Sequence, residues 1–346
     1  MAGTIVVGII LFAAMLVGWT WRRGAKAKAE LAAKYPAPGK LVNVGGYRLH
    51  IHCQGQGSPT VLIEAGANDC SLSWSQVQRE VARFTRVCTY DRAGLGWSER
   101  RPHLPERLNL SGRSRTAHNL VEDLHTLLAR SCLEPPYVLV GHSLGGLLVR
   151  LYAHEHPDQV AGMVLVDAVH EEMFLRYPEA FRRLLQRGRK PMAWFLRLGE
   201  MSAAAGLLAL APRLYPRELL SIAPEEARET YLGVMSADAK CLAAVREESG
   251  AVDDYHASVR AAHITSLGDI PLIVLSHGQA QRVPGLSEEV NQQKEQAEQQ
   301  MQVELAAQSS RGKRIVAEKS GHLIQIDQPE LVVDAIRQVV EAARHR

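Results

Sequence analysis

The sequence has little net charge and little cysteine. Its 346 residues carry 40 Lys and Arg against 37 Asp and Glu, a net charge of +3. A balance that small gives no sign of nucleic-acid binding, so no nucleic-acid partner is expected. Five cysteines (Cys53, Cys70, Cys88, Cys132 and Cys241) lie scattered, with no C-x-x-C pair and no Cys/His cluster. That pattern indicates neither a zinc site nor a disulfide framework. They are expected to be reduced, mostly buried thiols, which favours a cytosolic setting. Neither a dinucleotide fingerprint nor a Walker sequence occurs, so no cofactor is expected. No internal repeat occurs either.

Hydrophobic residues make up 46% of the chain and charged residues 22%, which suits a globular protein of one large domain with an insertion, or of two smaller domains. The N-terminus departs from this average. "TIVVGIILFAAMLVGWTW", residues 4–21, is uncharged and long enough to span a bilayer as a helix. Trp19 and Trp21 stand where interfacial aromatics belong, and Arg22, Arg23, Lys26 and Lys28 follow. A secretory signal has its basic residues first, so an uncleaved single-pass anchor over residues 1–22 is the expectation, with a cleaved signal ending near "AKA" as the alternative. The positive-inside rule then puts the remainder in the cytoplasm.

Beyond a polar linker at 23–40, apolar runs alternate with amphipathic ones. "LVNVGGYRLHIHCQG" reads as a hairpin turning at Gly45-Gly46. "TVLIEAG", "TRVCTYD", "YVLVGH", "VAGMVLVD", "IPLIVLSHG" and "RIVAEKSGH" read as strands. "SWSQVQREVARF", "TAHNLVEDLHTLLARS" and "QPELVVDAIRQVVEAARH" read as helices, the second capped by Thr116 or Ser114. Nearly all-apolar strands alternating with helices predict a mainly parallel sheet covered on both faces.

Within that pattern, "YVLVGHSLGGLLVRLY" puts G-x-S-x-G between a strand and a helix. This is the context of a nucleophile elbow: Gly141 and Gly145 remove side chains that would clash, and Ser143 is lifted above the strand end. "LIEAGAND", "YDRAGLGWS", "GHSLGG", "LVDAVH" and "SGHLIQIDQPE" follow in order over about 280 residues, and in them the chain resembles the α/β-hydrolase superfamily, specifically bacterial serine hydrolases with a helical cap. The resemblance implies an α/β-hydrolase core over 41–170 and 266–346, with a helical cap over 171–265 inserted after the sixth strand. It also implies a serine nucleophile, Ser143, and a base, His322. The acid is ambiguous. The usual position, after "PLIVLSHGQAQ", offers no carboxylate before Glu288. Asp167, at the end of the preceding strand, is the first candidate, and Glu171, Glu172 and Glu288 are the others. The oxyanion donors implied are the backbone N–H groups of Leu144 and Ala67, with Asn68 as alternate. Asp91, Arg92, Gly94 and Gly96 are read as holding a tight turn.

Residues 173–200 carry seven Arg or Lys among Phe174, Phe181, Leu184, Leu185, Trp194, Phe195 and Leu198. Such a segment packs its apolar face on the core or lies on an anionic membrane. The function expected is cleavage of a small, lipophilic carboxylic ester through an acyl-enzyme. C–C bond hydrolysis, lactonase activity, cofactor-free perhydrolysis and a non-catalytic scaffold are the alternatives. Epoxide and haloalkane hydrolases of this fold use an Asp nucleophile, so Ser143 argues against them.

Overall fold

The computed structural model describes residues 2–102, 115–210, 222–236 and 238–345. Eight strands form one sheet: β1 Lys40–Asn43, β2 Arg48–Gln54, β3 Thr60–Glu64, β4 Val87–Tyr90, β5 Tyr137–His142, β6 Val160–Val166, β7 Leu272–His277 and β8 Gly312–Ala317. Their order is β1-β2-β4-β3-β5-β6-β7-β8. The β1–β2 and β2–β4 pairs are antiparallel, and the other five are parallel. The β1–β2 hairpin turns where the glycine pair predicts: Gly45 and Gly46 have φ of 123° and 104°, and both N–H groups donate to Asn43 Oδ1.

Side chains of a strand alternate between faces, and here each face has its own core. Leu62, Leu139, Leu165 and Val274 pack with Leu124, Leu147 and Leu151. Val61, Val138, Val164 and Ile273 pack with Val77, Val332 and Ile336. Each large side chain buried this way contributes about 1.5–3 kcal/mol. The first face is covered by α3 Ala117–Arg130 and α4 Leu144–Glu155, the second by α2 Ser75–Val81 and, after the short α11 Ile324–Asp327, by α12 Pro329–Arg344. Thr116 Oγ1 accepts from Asn119 N–H and so caps α3; Ser114 lies outside the described residues.

Between β6 and β7 the chain leaves the sheet for helices: α5 Met173–Arg176, α6 Glu179–Ala204, α7 Leu207–Leu210, α8 Arg228–Tyr231 and α9 Ala239–Ala261. The large apolar residues of α6 divide between two settings. Phe181 is buried with Tyr177 and Met301, whereas Trp194, Phe195 and Leu198 are exposed. α10 Glu288–Ala307 fills the connection from β7 to β8.

One expectation needs revision and another finds no support among the described residues. Cys53 and Cys88 are not free thiols: they face each other across β2 and β4 and form a disulfide. The pair is invisible until the sheet order makes β2 and β4 neighbours. Cys70, Cys132 and Cys241 are free. The second concerns the N-terminus. Helix α1 Ala2–Lys34 is present, but among the described residues no helix is long and apolar enough to cross a membrane. Most side chains of 4–21 lie outside the described set. The stretch 23–40 is helical to Lys34 and docked. Lys28 Nζ lies 2.9 Å from Asp238 Oδ1, Lys34 Nζ lies 2.5 Å from Glu229 Oε1, and Trp97 Nε1–H donates to Tyr35 O at 3.0 Å. Gly24 meets Gly206 so closely that a Cβ on either would collide with the other's backbone.

Candidate active site

β5 is the central, wholly buried strand, and the chain turns sharply at its C-terminal end. Ser143 has φ 51° and ψ −119°, a conformation a non-glycine residue adopts only when its surroundings impose it. Here they do. Ser143 N–H donates to Val166 O at 3.2 Å, and Ser143 O accepts from Gly146 N–H at 3.0 Å and Val169 N–H at 3.1 Å. The flanking glycines are sterically required: a Cβ at Gly141 would lie 2.6 Å from Gly145 O, and one at Gly145 would lie 2.5 Å from Glu64 O. Leu144 opens α4, so its N–H belongs to the first turn, whose donors have no partner within the helix.

Asp167 directly follows β6, two strand-ends from β8 across β7. Its N–H donates to Leu275 O at 2.7 Å, which fixes the residue at φ 41°. His322 Nδ1–H donates to Asp167 Oδ2 at 2.6 Å. His277, the last residue of β7, donates to Asp167 Oδ1 twice, from Nδ1–H at 2.7 Å and from its backbone N–H at 3.0 Å. Burial opposes the Asp167 charge, but these bonds outweigh it and hold the carboxyl well below the ordinary range. The other acid candidates are engaged elsewhere: Glu171 with Arg150, Glu172 with Arg176 at 2.7 Å and Glu288 with Arg282 at 3.2 Å.

His322 sits in the loop after β8, partly exposed. His142 Nε2–H donates to its carbonyl at 2.9 Å, and the two rings lie 4.7 Å apart. Burial pushes His142 down to about 3, so it stays neutral and supports the loop from beneath. Among the described residues Ser143 Oγ makes no hydrogen bond to His322. The geometry brings the serine, the imidazole and the carboxylate to one edge of the sheet, on β5, β8 and β6.

The loop after β3 carries the remaining donors. Ala67 is exposed, next to Gly66, whose absent Cβ would lie 2.6 Å from His142 Nδ1 and 3.5 Å from Ser143 Cβ. The alternate donor is occupied: Asn68 N–H donates to Glu248 Oε1 at 2.6 Å. Glu248 comes from α9, so the inserted helices reach into this loop. Arg92 grips the same loop, donating to Ala65 O at 2.8 Å and Gly66 O at 2.6 Å and pairing with Glu64 and Glu248. Arg92 therefore does more than close the turn in which Gly94 and Gly96 take φ of 81° and 51°. Asp91 holds that turn, accepting from Trp97 N–H, Ser71 N–H and His50 Nδ1.

Sequence reasoning passed over three members of this edge: His277, Arg92 in its gripping role, and Glu248. A signal existed for His277, which stands where the superfamily's acid is usually found. His277, Glu295 and Glu298 could each offer an atom to a metal ion within 4.8 Å of one another. Yet Glu298 accepts from Lys294 Nζ at 2.7 Å and Tyr177 OH at 2.5 Å, and Glu295 from Gln299 Nε2 at 2.7 Å. Carboxylates so supplied with protons form an ion-pair cluster. A cleft beside His322 is lined by Asp167, Val169, Met173, Tyr177 and Met301.

Comparison with known proteins agrees with this architecture. The profile described as "Alpha/beta hydrolase family" matches residues 49–335. An "AB hydrolase superfamily protein" of Gibberella zeae is 24% identical over 326 residues, covering 83% of this chain and 87% of that protein. The 2-hydroxy-6-oxo-2,4-heptadienoate hydrolase of Pseudomonas putida is 32% identical over 134 residues, 38% of this chain and 45% of that protein. The first curated relatives are matched over only 21%, 47% and 23% of their length. Among solved structures, a thermophilic esterase from Thermogutta terrifontis superposes with a TM-score of 0.57 at 22% identity, covering 88% of this chain and 97% of the esterase.

Proposed function

The chain belongs to the alpha/beta hydrolase family, and we propose that within it this protein is a serine hydrolase that cleaves a small, lipophilic carboxylic ester. The observation that carries the proposal is the Asp167–His322 hydrogen bond at the same sheet edge as the strained Ser143. With Nδ1–H donated to Asp167, His322 presents Nε2 as the free base. It takes the Ser143 hydroxyl proton as Oγ bonds to the carbonyl carbon. The carbonyl oxygen becomes an oxyanion, held by the N–H groups of Leu144 and Ala67. Collapse expels the alcohol, which takes the proton from His322. Water, deprotonated by His322, then releases the acid and restores Ser143. The Ser143–His322 hydrogen bond forms when substrate enters, since catalytic hydrogen bonds are often completed only in the substrate complex. Met173, Val169 and Met301 in the neighbouring cleft favour an apolar acyl or alcohol group.

A second reading, C–C bond hydrolysis with the same three residues, is favoured by the likeness to the Pseudomonas putida hydrolase. A panel of p-nitrophenyl esters of rising chain length, run beside a vinylogous diketone acid, separates them. A fluorophosphonate probe tests the shared premise. It should label the wild type and leave Ser143→Ala unlabelled; folded wild type that resists the probe favours the non-catalytic scaffold.

The proposal extends to location. The uncharged run at 4–21 and the basic residues after it support attachment to a membrane. Fractionation of cells expressing the full chain, with and without residues 1–22, tests this: both forms in the soluble fraction would end it.

A further inference from the structure

A carboxylate that orients a catalytic histidine ordinarily serves one imidazole. Asp167 serves two. Its Oδ2 faces His322 Nδ1, and its Oδ1 faces His277 Nδ1 at 2.7 Å. The far side of His277 decides that ring's charge. Nε2 lies 3.2 Å from both oxygens of Glu295, and 3.9 Å from Glu298 Oε2. A neutral imidazole has one N–H, and ionised carboxylates only accept. With an acceptor at each nitrogen, both nitrogens must carry protons, so the ring is an imidazolium. Burial opposes that charge, but the bonds from Asp167 and Glu295 raise the group to about 10.

From this geometry we infer that His277 is a positioning residue of the candidate site, a fixed cation that clamps the Asp167 carboxylate and opposes a second positive charge on His322. The inference rests on the serine-hydrolase reading above. Two bonds from His277 leave Oδ1 no freedom to rotate, so Oδ2 stays aimed at His322. The electrostatic part follows from the same contacts. A lone Asp167 would offer its whole charge to His322; one already paired with a cation offers less.

The surroundings keep the His277 charge in place. From α10, the carboxyl groups of Glu295 and Glu298 face the ring, while Lys294 is spent on Glu298. Tyr177 donates to Glu298. From β8, Arg314 reaches Ser276 Oγ at 2.8 Å and Gln299, not the ring. All three groups line the cleft, but His277 and Asp167 are buried whereas His322 is partly exposed.

The test uses the full chain with His277→Gln and His277→Ala. Glutamine keeps a neutral side-chain donor for Asp167 and removes the charge; alanine removes the charge and the side-chain donor, leaving only the backbone N–H. In His277→Gln the acid limb of the kcat/KM–pH profile should move to higher pH by at least half a unit, with KM changed less than twofold. His277→Ala should add a tenfold or greater loss of kcat. In the wild type, the His277 ring nitrogens should keep imidazolium resonances through pH 8 in ¹⁵N NMR. Superimposable profiles for wild type and His277→Gln, or a His277 ring that is neutral at pH 7, overturn the inference. The nitrogen spectra need no turnover, and fluorophosphonate labelling of wild type stands apart from both. Failure of the serine-hydrolase reading thus shows as an unlabelled wild type, and failure of this inference as a labelled one with an unmoved profile.

Discussion

At the residue scale the site divides into what a motif announces and what only a fold assembles. Ser143 announces itself, because a strand, two glycines at fixed offsets and a helix leave the turn one conformation, and the structure has it there at φ 51°. His322 is legible from its place after the last strand. Asp167 was one of four acids, and its selection needed the strand order that sets β6, β7 and β8 side by side. His277 was illegible in its role: no local pattern says that a histidine ending one strand will share an aspartate with a histidine 45 positions on. Two predictions belong here. Asp167→Asn should reduce kcat by about 10⁴-fold through loss of the correct imidazole tautomer, with the circular dichroism spectrum unchanged. Steady-state ester hydrolysis checks it; a rate within tenfold of wild type would remove Asp167 from the mechanism. Gly66→Ala puts a Cβ 2.6 Å from His142 Nδ1 and must shift the loop that carries Ala67. We expect kcat to fall on the order of 10- to 100-fold, since small misplacements of catalytic groups have effects of that size; turnover on a good ester substrate, measured beside Ser143→Ala as the floor, decides it.

At the element scale, the apolar strands and the amphipathic α3 and α12 could be read from periodicity, because each has one partner face. α10 could not. Its sequence, "EEVNQQKEQAEQQMQVELAA", is largely polar, and it buries only a few side chains, among them Met301 and Leu305. The disulfide was missed for a related reason: Cys53 and Cys88 become neighbours only through the β2–β4 pairing. The contact between α9 and the core was equally hidden, and it is the most consequential packing between elements. Glu248 is wholly buried, paired with Arg92 at 2.7 Å and Arg115 at 2.5 Å. Burial works against its charge, but the two guanidinium groups prevail and hold it down at about 2. A folded-state value below the ordinary carboxylate range stabilises the fold above that range, and the contribution fades as pH falls from about 4.5 towards about 2. It amounts to about 3 kcal/mol. Glu248→Gln should therefore lose about 3–5 kcal/mol at pH 7, because buried Arg115 loses its counter-charge and Arg92 is left with Glu64 alone. Its stability should also vary less between pH 7 and pH 3 than that of wild type. Urea unfolding at the two pH values measures both effects; parallel pH dependence in the two proteins would refute the assignment.

At the scale of the whole molecule, the sequence made the order of core, inserted helices and core legible, because the alternation of strand and helix stops after β6 and resumes at β7. The expectation of a cytoplasmic domain, drawn from the basic residues after position 21, meets an observation that points the other way: a disulfide between β2 and β4, a bond that persists in oxidising compartments. It closes 35 residues, which in the chain-entropy model stabilises by about 3–4 kcal/mol. Reduction with dithiothreitol should thus lower the melting temperature by several degrees, and Cys53→Ala should lower it similarly; an unchanged transition would mean the bond does not form. The join between the N-terminal helix and the rest carries a last consequence. Lys28 and Lys34 are ion-paired to the segments around α8 and α9, Tyr35 is held by Trp97, and Gly24 abuts Gly206. A half-helix clamped at four points is not a free hinge, so a pull applied at the N-terminus would be felt directly by the segments around α8 and α9.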